Sequence, residues 1–464
     1  MDAEVTSTDT ESRCVPLVLF GFGILWLVAS GVLGLLASVQ VHQPALLAEC
    51  PVLSYGRVVA MAESTFLYGW LANAGLALAL WILARLGGEP LRARNWALAG
   101  TVFWNLGVAG AVGGVAMGDR TGFDLLELPG YVLPVMLFSY GAIAIPGILA
   151  WNGRNRPMAY AAQWYAVAAL FLFPWFFSVA QVMLFWAPVR GVMQAILAGW
   201  YAQAAWTLWI APLALTAAYY VIPRIAGRTV RSYEFAALGF WSLLFLGAWT
   251  GGRHLIGGPV PAWIPAVGLV TSGLLVFHYL AVFLNLRDAF GLKGVPARFI
   301  AYGLIAYLIS AVGDFLTGFQ GVALSTHFTF VETAQRQLAL YGAASMMLFG
   351  GLYFALPRLT GRVWASALLV RGHLLLMVAG VTLLVVSLAV AGFAQGAALL
   401  DPKASFDAIA ASARSGLIAA SGAQVLLLLG NLLLLLNFFR TVCCRDEKTG
   451  EAVFVPAPGE APVS

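Results

Sequence analysis

The chain is a succession of long apolar runs separated by short breaks of Gly, Pro, charge or polar clusters. The runs fall at about 17–39, 58–84, 96–117, 131–150, 161–186, 191–222, 235–252, 262–286, 298–319, 330–356, 372–394 and 415–440. Most match the roughly 20 apolar residues that a helix needs to cross a hydrocarbon core of about 30 Å. The pattern predicts an all-α integral membrane protein: a short cytoplasmic N-terminus at 1–16, a twelve-helix transmembrane bundle at 17–440, and a polar cytoplasmic tail at 441–464. The first dozen residues carry four acids and no Lys or Arg. They lack the positive region of a cleaved signal peptide, so the first helix is expected to be retained.

Composition narrows the class further. Of 464 residues, 61% are hydrophobic and only 10% charged, with a mean hydropathy of +0.88, whereas an average soluble domain is about a quarter charged. A soluble enzyme and a disordered chain are both excluded. Basic residues set the orientation. With the N-terminus inside, 18 of the 25 Lys and Arg fall in inner segments, from Arg13 through Arg85, Arg92, Arg94, Arg154, Arg156, Arg224, Arg228 and Arg231 to Arg440, Arg445 and Lys448. Six fall outside, namely Arg57, Arg120, Arg190, Arg253, Lys403 and Arg414, and Arg336 sits within a run. That bias predicts N-in, C-in topology. The net charge of +5 is spread too thinly to track phosphates, so no nucleic-acid partner is expected and membrane lipid is. Cys14, Cys50, Cys443 and Cys444 show neither metal-ligand spacing nor a disulfide framework.

Local motifs carry more than the helix count. Tyr219-Tyr220-Val221-Ile222-Pro223-Arg224 runs into Val230-Arg231-Ser232-Tyr233 and Phe240-Trp241. Upstream is Trp200-Tyr201-Ala202-Gln203. Downstream are Trp249-Thr250-Gly251-Gly252-Arg253-His254-Leu255 and Pro261-Ala262-Trp263, then Phe349-Gly350-Gly351-Leu352-Tyr353 and Leu356-Pro357-Arg358-Leu359, while Gly56-Arg57 precedes the second run. Taken in this order, these segments resemble haem-copper oxidase subunit I of the C-type (cytochrome cbb) class across about residues 56–362. The resemblance implies the twelve-helix fold of that subunit, a bacterial cytoplasmic (inner) membrane location, and other respiratory-complex subunits as partners. It also implies b-type haems and copper, and therefore six histidine ligands.

The ligands are not there. This chain has five His in all. Laid over the motifs, the low-spin haem ligand of helix two falls on Ala62, the helix-six copper ligand on Gln203, the paired copper histidines on Arg253 and His254, and the helix-ten H-x-H on Gln335-Arg336-Gln337. Only His254 remains a histidine, and the position of the family's cross-linked tyrosine is Gly247. Imidazole suits haem iron and copper, whereas Ala cannot ligate and a guanidinium repels a cation. No cofactor or metal is therefore expected. His42, His278 and His373 read as ordinary loop or bundle residues, and His327 matches a family segment near the haem propionates.

Polar side chains mark the same axis instead. Glu63 and Arg336 are expected at membrane depth, where an ionisable residue needs a partner or water. They are expected to pair across the former low-spin haem site. Asp314 and Glu332 are expected to pair with Arg253 or Arg336, and Gln203, Gln335 and Gln337 to knit helices six and ten together. Three functions follow: a non-catalytic paralogue acting as structural or assembly partner in a respiratory or nitric-oxide-reducing complex; an active terminal oxidase subunit reducing oxygen with cytochrome c; or a transporter or channel using the emptied cavity. The missing ligands favour the first.

Overall fold

The computed structural model describes residues 8–155 and 158–443; Met1–Ser7, Arg156, Cys444, Arg445, Lys448 and the rest of 444–464 lie outside the described residues. Within them, eleven helices are long and apolar enough to cross a membrane. They are α1 (Cys14–His42), α2 (Tyr55–Gly87), α3 (Arg94–Met117), α4 (Leu133–Asn152), α5 (Ala161–Trp186), α6 (Val192–Ala226), α8 (Trp263–Phe290), α9 (Val295–Thr317), α10 (Phe330–Thr360), α11 (Ala367–Leu399) and α12 (Phe406–Cys443). The seventh run yields α7, a shorter apolar helix at Tyr233–Gly247. Against the expected run of 235–252, it stops at Gly247 because the chain tightens into a 3-10 turn at Thr250–Leu255. The last run also differs, since α12 begins nine residues earlier than expected and carries the helix through 441–443.

Three helices form the centre. The most apolar windows of α2 and α6 are 100% buried by protein and that of α10 is 94% buried, against 33–50% for the other eight spans. These three are covered by neighbouring helices on every side, whereas the other spans, equally apolar, leave part of their surface at the bundle's perimeter. Each also widens into a π-helical stretch: Thr65–Leu71 in α2, Ala205–Ile210 in α6 and Leu338–Ser345 in α10. The wide turns begin three residues after Ala62, two after Gln203 and one after Gln337. Such insertions concentrate at functional positions.

The outer ring is held by close helix contacts and polar links. α11 and α12 pair along their length, and α12 packs on α1. Ser421 of α12 bonds Ser38 and His42 of α1, and Asn431 of α12 bonds Tyr341 of α10. α7 runs antiparallel to α8: Ser232 caps its start and donates its backbone N–H to the Asn285 side-chain oxygen, while Gly252, past its end, lies against Ile264.

Candidate functional site

The end of the bundle expected to face outward gathers most of the polar residues singled out from the sequence. Arg336 of α10 donates to both carboxylate oxygens of Glu63 of α2, at 3.0 and 3.1 Å, and lies 3.0 Å from Asp124 Oδ1. The three side chains are a quarter to a half exposed, so the ion triad lines a recess instead of a sealed core. Directly inward, α2 and α10 touch. Phe66 stacks on Tyr341 with ring centroids 4.8 Å apart, and one turn deeper Trp70 donates to Ser345 Oγ at 2.8 Å and stacks on Phe349 at 4.9 Å. Four residues separate Ala62 from Phe66 and Gln337 from Tyr341. The stack therefore lies one helical turn below the two positions assigned to haem ligands.

A second cluster lies where α6 meets the 250–255 turn. Arg253 is 2% exposed; its Nη2 is 2.8 Å from Asp314 Oδ2 of α9 and 3.5 Å from Gln203 Oε1, and its Nη1 donates to the Thr250 carbonyl at 2.9 Å. Gln335 of α10 donates to Asp314 Oδ1 at 3.4 Å. Missing side chains make room. Gly199 and Gly251 bring the α6 and turn backbones together, where a Cβ on Gly251 would meet the Gly199 carbonyl at 2.7 Å. Gly268 and Gly313 leave no space for a methyl against Arg253 and Gln335 respectively. At Gly247, Thr207 of α6 fills the space in front of the backbone and donates to its carbonyl at 3.1 Å.

The structure corrects several expectations. Glu332 bonds His327 at 2.5 Å, not an arginine, because both sit on the turn that opens α10. Gln335 reaches α9, so helices six and ten are joined through Arg253 and Asp314 and not by glutamines directly. His254 follows Arg253 but is exposed, and Gln337 is half-buried. His278 donates from Nδ1 to the Gly239 carbonyl and accepts from Tyr307, and His373 lies 2.8 Å from the Tyr353 hydroxyl. The five histidines thus do not converge.

Sequence reasoning missed the segment between α3 and α4. Residues 118–132 fold back over the α2–α10 recess and bring Arg120, Asp124 and Glu127 to it. Arg120 pairs with Glu127 at 3.0 Å and also donates to the Gly56 carbonyl, and the Tyr68 hydroxyl donates to the Leu125 carbonyl at 2.6 Å. Burial first, and then the Glu63 charge, push the Glu127 carboxyl up to about 7. The available signal was three acids and an arginine within nine residues of a loop otherwise rich in Leu, a composition unsuited to open solvent.

The comparisons agree with this architecture. Residues 15–425 match the family described as Cytochrome C and Quinol oxidase polypeptide I. This chain belongs to that oxidase subunit I family. It is 26% identical to cytochrome c oxidase subunit 1 of Rhodobacter capsulatus, over 94% of this chain and 87% of the relative. It is 24% identical to the Cbb3-type cytochrome c oxidase subunit CcoN1 of Stutzerimonas stutzeri, over 80% of this chain and 81% of the relative. Among solved structures, a chain of a haem-copper terminal oxidase dimer determined by cryo-EM superposes with a TM-score of 0.76 at 14% identity, covering 97% of this chain and 88% of that one. The protein is a multi-pass bacterial inner-membrane member of a family found in multi-subunit oxidase complexes.

Subunit I chemistry can be tested against the residues present. A low-spin haem between α2 and α10 needs an imidazole from each and a slab of space between them. Ala62 and Gln337 supply no imidazole, and the Phe66–Tyr341 stack joins the helices by direct ring contact. The copper positions carry Gln203, a buried guanidinium held by Asp314, and one imidazole, His254, which by itself does not make a copper site. Among the described residues no group of three or more His, Cys, Asp or Glu is placed to hold a metal ion. These residues do not fit haem or copper, so no redox step is derived through either.

Proposed function

We propose that this chain is a degenerate, cofactor-poor subunit I paralogue that acts as a structural or assembly partner in a respiratory or nitric-oxide-reducing complex. The observation that carries this reading is the ladder Glu63–Arg336, Phe66–Tyr341, Trp70–Ser345, which fills the interval between α2 and α10 with the protein's own side chains. A scaffold that loses a haem has to fill the void or lose stability, and a zipped interface fills it. The conserved shape of the family scaffold then serves contact with other subunits instead of turnover. The charges that would support a transport reading are paired with one another, the arrangement of a structural ion group.

The same reading takes twelve crossings with both termini inside. The start of α7 lies by Asn285 and the chain just past its end by Gly268, so α7 and its turn follow about 17 residues of α8, on the order of 26 Å. That is close to the thickness of a hydrocarbon core.

Purification from its native membrane in mild detergent tests the proposal. A pyridine-haemochrome assay and metal analysis should find neither haem nor copper in stoichiometric amount on this chain, and mass spectrometry should find haem-bearing respiratory subunits co-purifying with it. One or more haems per chain would overturn the non-catalytic reading. A chain that purifies alone under every mild condition would overturn the partner role.

A further inference from the structure

The segment between α3 and α4 is tied across the outer mouth of the α2–α10 recess by a set of contacts that depend on charge. Asp124 is held by Arg336 of α10, which also holds Glu63 of α2. Arg120 is shared between Glu127 and the Gly56 carbonyl, Phe123 packs edge-on against Phe185 of α5 at 5.7 Å, and Leu126 and Leu128 are buried. Leu125 adopts a left-handed conformation, φ 55°, a strained choice for a branched side chain that the Tyr68 bond to its carbonyl maintains.

Glu127 is the odd member. Its carboxylate is 14% exposed, and while one oxygen meets Arg120, Oε2 is buried with no hydrogen-bond partner. It borders a small gap lined by Glu63, Ser64, Leu67, Tyr68 and Leu125. The groups facing it are Glu63 and Tyr68 from α2, Arg336 from α10, and Arg120 and Asp124 from its own segment. Around the recess, three carboxylates (Glu63, Asp124, Glu127) face two guanidiniums (Arg336, Arg120). The group balances only when one carboxyl is neutral, and the buried, half-partnered Glu127 is the one whose ionised form has least to bond.

We propose that segment 119–131 is a pH-sensitive clasp, closed over the α2–α10 recess while Glu127 is neutral and released when Glu127 ionises. The direction follows from linkage. The closed state holds the Glu127 proton up to about 7, whereas an opened, hydrated segment would release it at the ordinary 4.5. Closure is therefore strongest below the ordinary value and weakens as the pH rises toward and through 7. Between pH 6 and pH 8 the opening equilibrium rises about tenfold. The inference does not depend on whether the protein carries cofactors, since it involves only this chain's loop and its two neighbouring helices.

Hydrogen exchange followed by mass spectrometry on the full chain in detergent tests it. After correction for the intrinsic pH dependence, peptides covering 119–131 should exchange about tenfold faster at pH 8 than at pH 6, while a loop peptide covering 400–405 should not change. Glu127→Gln, which keeps the shape and removes the titration, should hold the segment at its low-pH protection at both values. Protection of 119–131 that is independent of pH in the wild type would overturn the proposal, as would the same pH dependence in Glu127→Gln. A variant that failed to fold would show loss of protection throughout the central α2 peptides; in that event Glu127→Ala, with a water in place of the carboxyl, is expected to give a segment whose protection is again flat with pH, and a retained tenfold change in it would overturn the proposal.

Discussion

Arg336 is the residue whose loss the structure makes most informative, because its guanidinium serves two carboxylates. Its Nη1 lies 3.0 Å from Glu63 and 3.0 Å from Asp124. Arg336→Gln strands both acids, whereas Glu63→Gln leaves Arg336 still paired with Asp124. Breaking a fully buried pair from one side costs about 3–5 kcal/mol. Here the arginine is 32% exposed and Glu63 25%, so water relieves part of the penalty. Arg336→Gln is expected to cost about 2–3 kcal/mol and Glu63→Gln about 1 kcal/mol. In the double variant only the half-exposed Asp124 is orphaned, and the loss should return to about 1–2 kcal/mol, a coupling of about 2 kcal/mol between the two sites. Denaturant unfolding in detergent, read by tryptophan fluorescence, measures all three. Arg336→Lys should fall between wild type and Gln, because a point charge cannot address two carboxylates as a planar fork does. Additive losses in the cycle, or an Arg336→Gln variant no worse than Glu63→Gln, would refute the reasoning that one guanidinium holds both acids.

Other expectations follow from the same geometry. Asp314→Asn should destabilise by about 3–5 kcal/mol because it leaves the 2%-exposed Arg253 charge without its carboxylate, whereas Arg253→Gln, which orphans an acid that is 24% exposed, should cost less; the order of unfolding midpoints checks this. Gly268→Ala should be more damaging than Gly313→Ala, since the added methyl meets the Arg253 backbone in the first case and a movable Gln335 amide in the second, as a thermal unfolding comparison would show. Restoring imidazoles with Ala62→His and Gln337→His together should not give a bis-histidine haem spectrum, because Phe66 and Tyr341 still join α2 to α10; a stoichiometric Soret band in that variant would show that the interval reopens easily. Glu127→Gln should abolish the loss of stability that the wild type shows as the pH rises from about 5 through 7, keeping its low-pH level throughout, measured as unfolding midpoints across that range.

Much of this protein was written in its one-dimensional pattern. Apolar runs long enough to span a bilayer, broken by Gly, Pro and charge, gave most of the helices to within a few residues, because in hydrocarbon a backbone must satisfy its own hydrogen bonds. The order of short motifs gave the family, and five of the positions that the resemblance assigns to ligands, from Ala62 to Gln337, carry no imidazole, which folding cannot supply. Even Glu63 and Arg336 could be expected to meet, since each adjoins a position that faces the other helix. What the sequence left open was decided by contact across the bundle. Nothing local says that Gln335 turns to α9, that Glu332 is taken by His327 five residues before it, or that α7 stops at Gly247 where a tight turn takes over. Above all, Asp124 and Glu127 lie more than 200 residues from Arg336 in a loop with no periodicity, and only the folding of that loop over α2 and α10 makes them part of the same charged group. Helices are specified by neighbours three and four residues away, so they can be read from a string; a polar network in a low-dielectric recess is specified by whichever distant charge arrives to balance it, and that is a property of the packed structure.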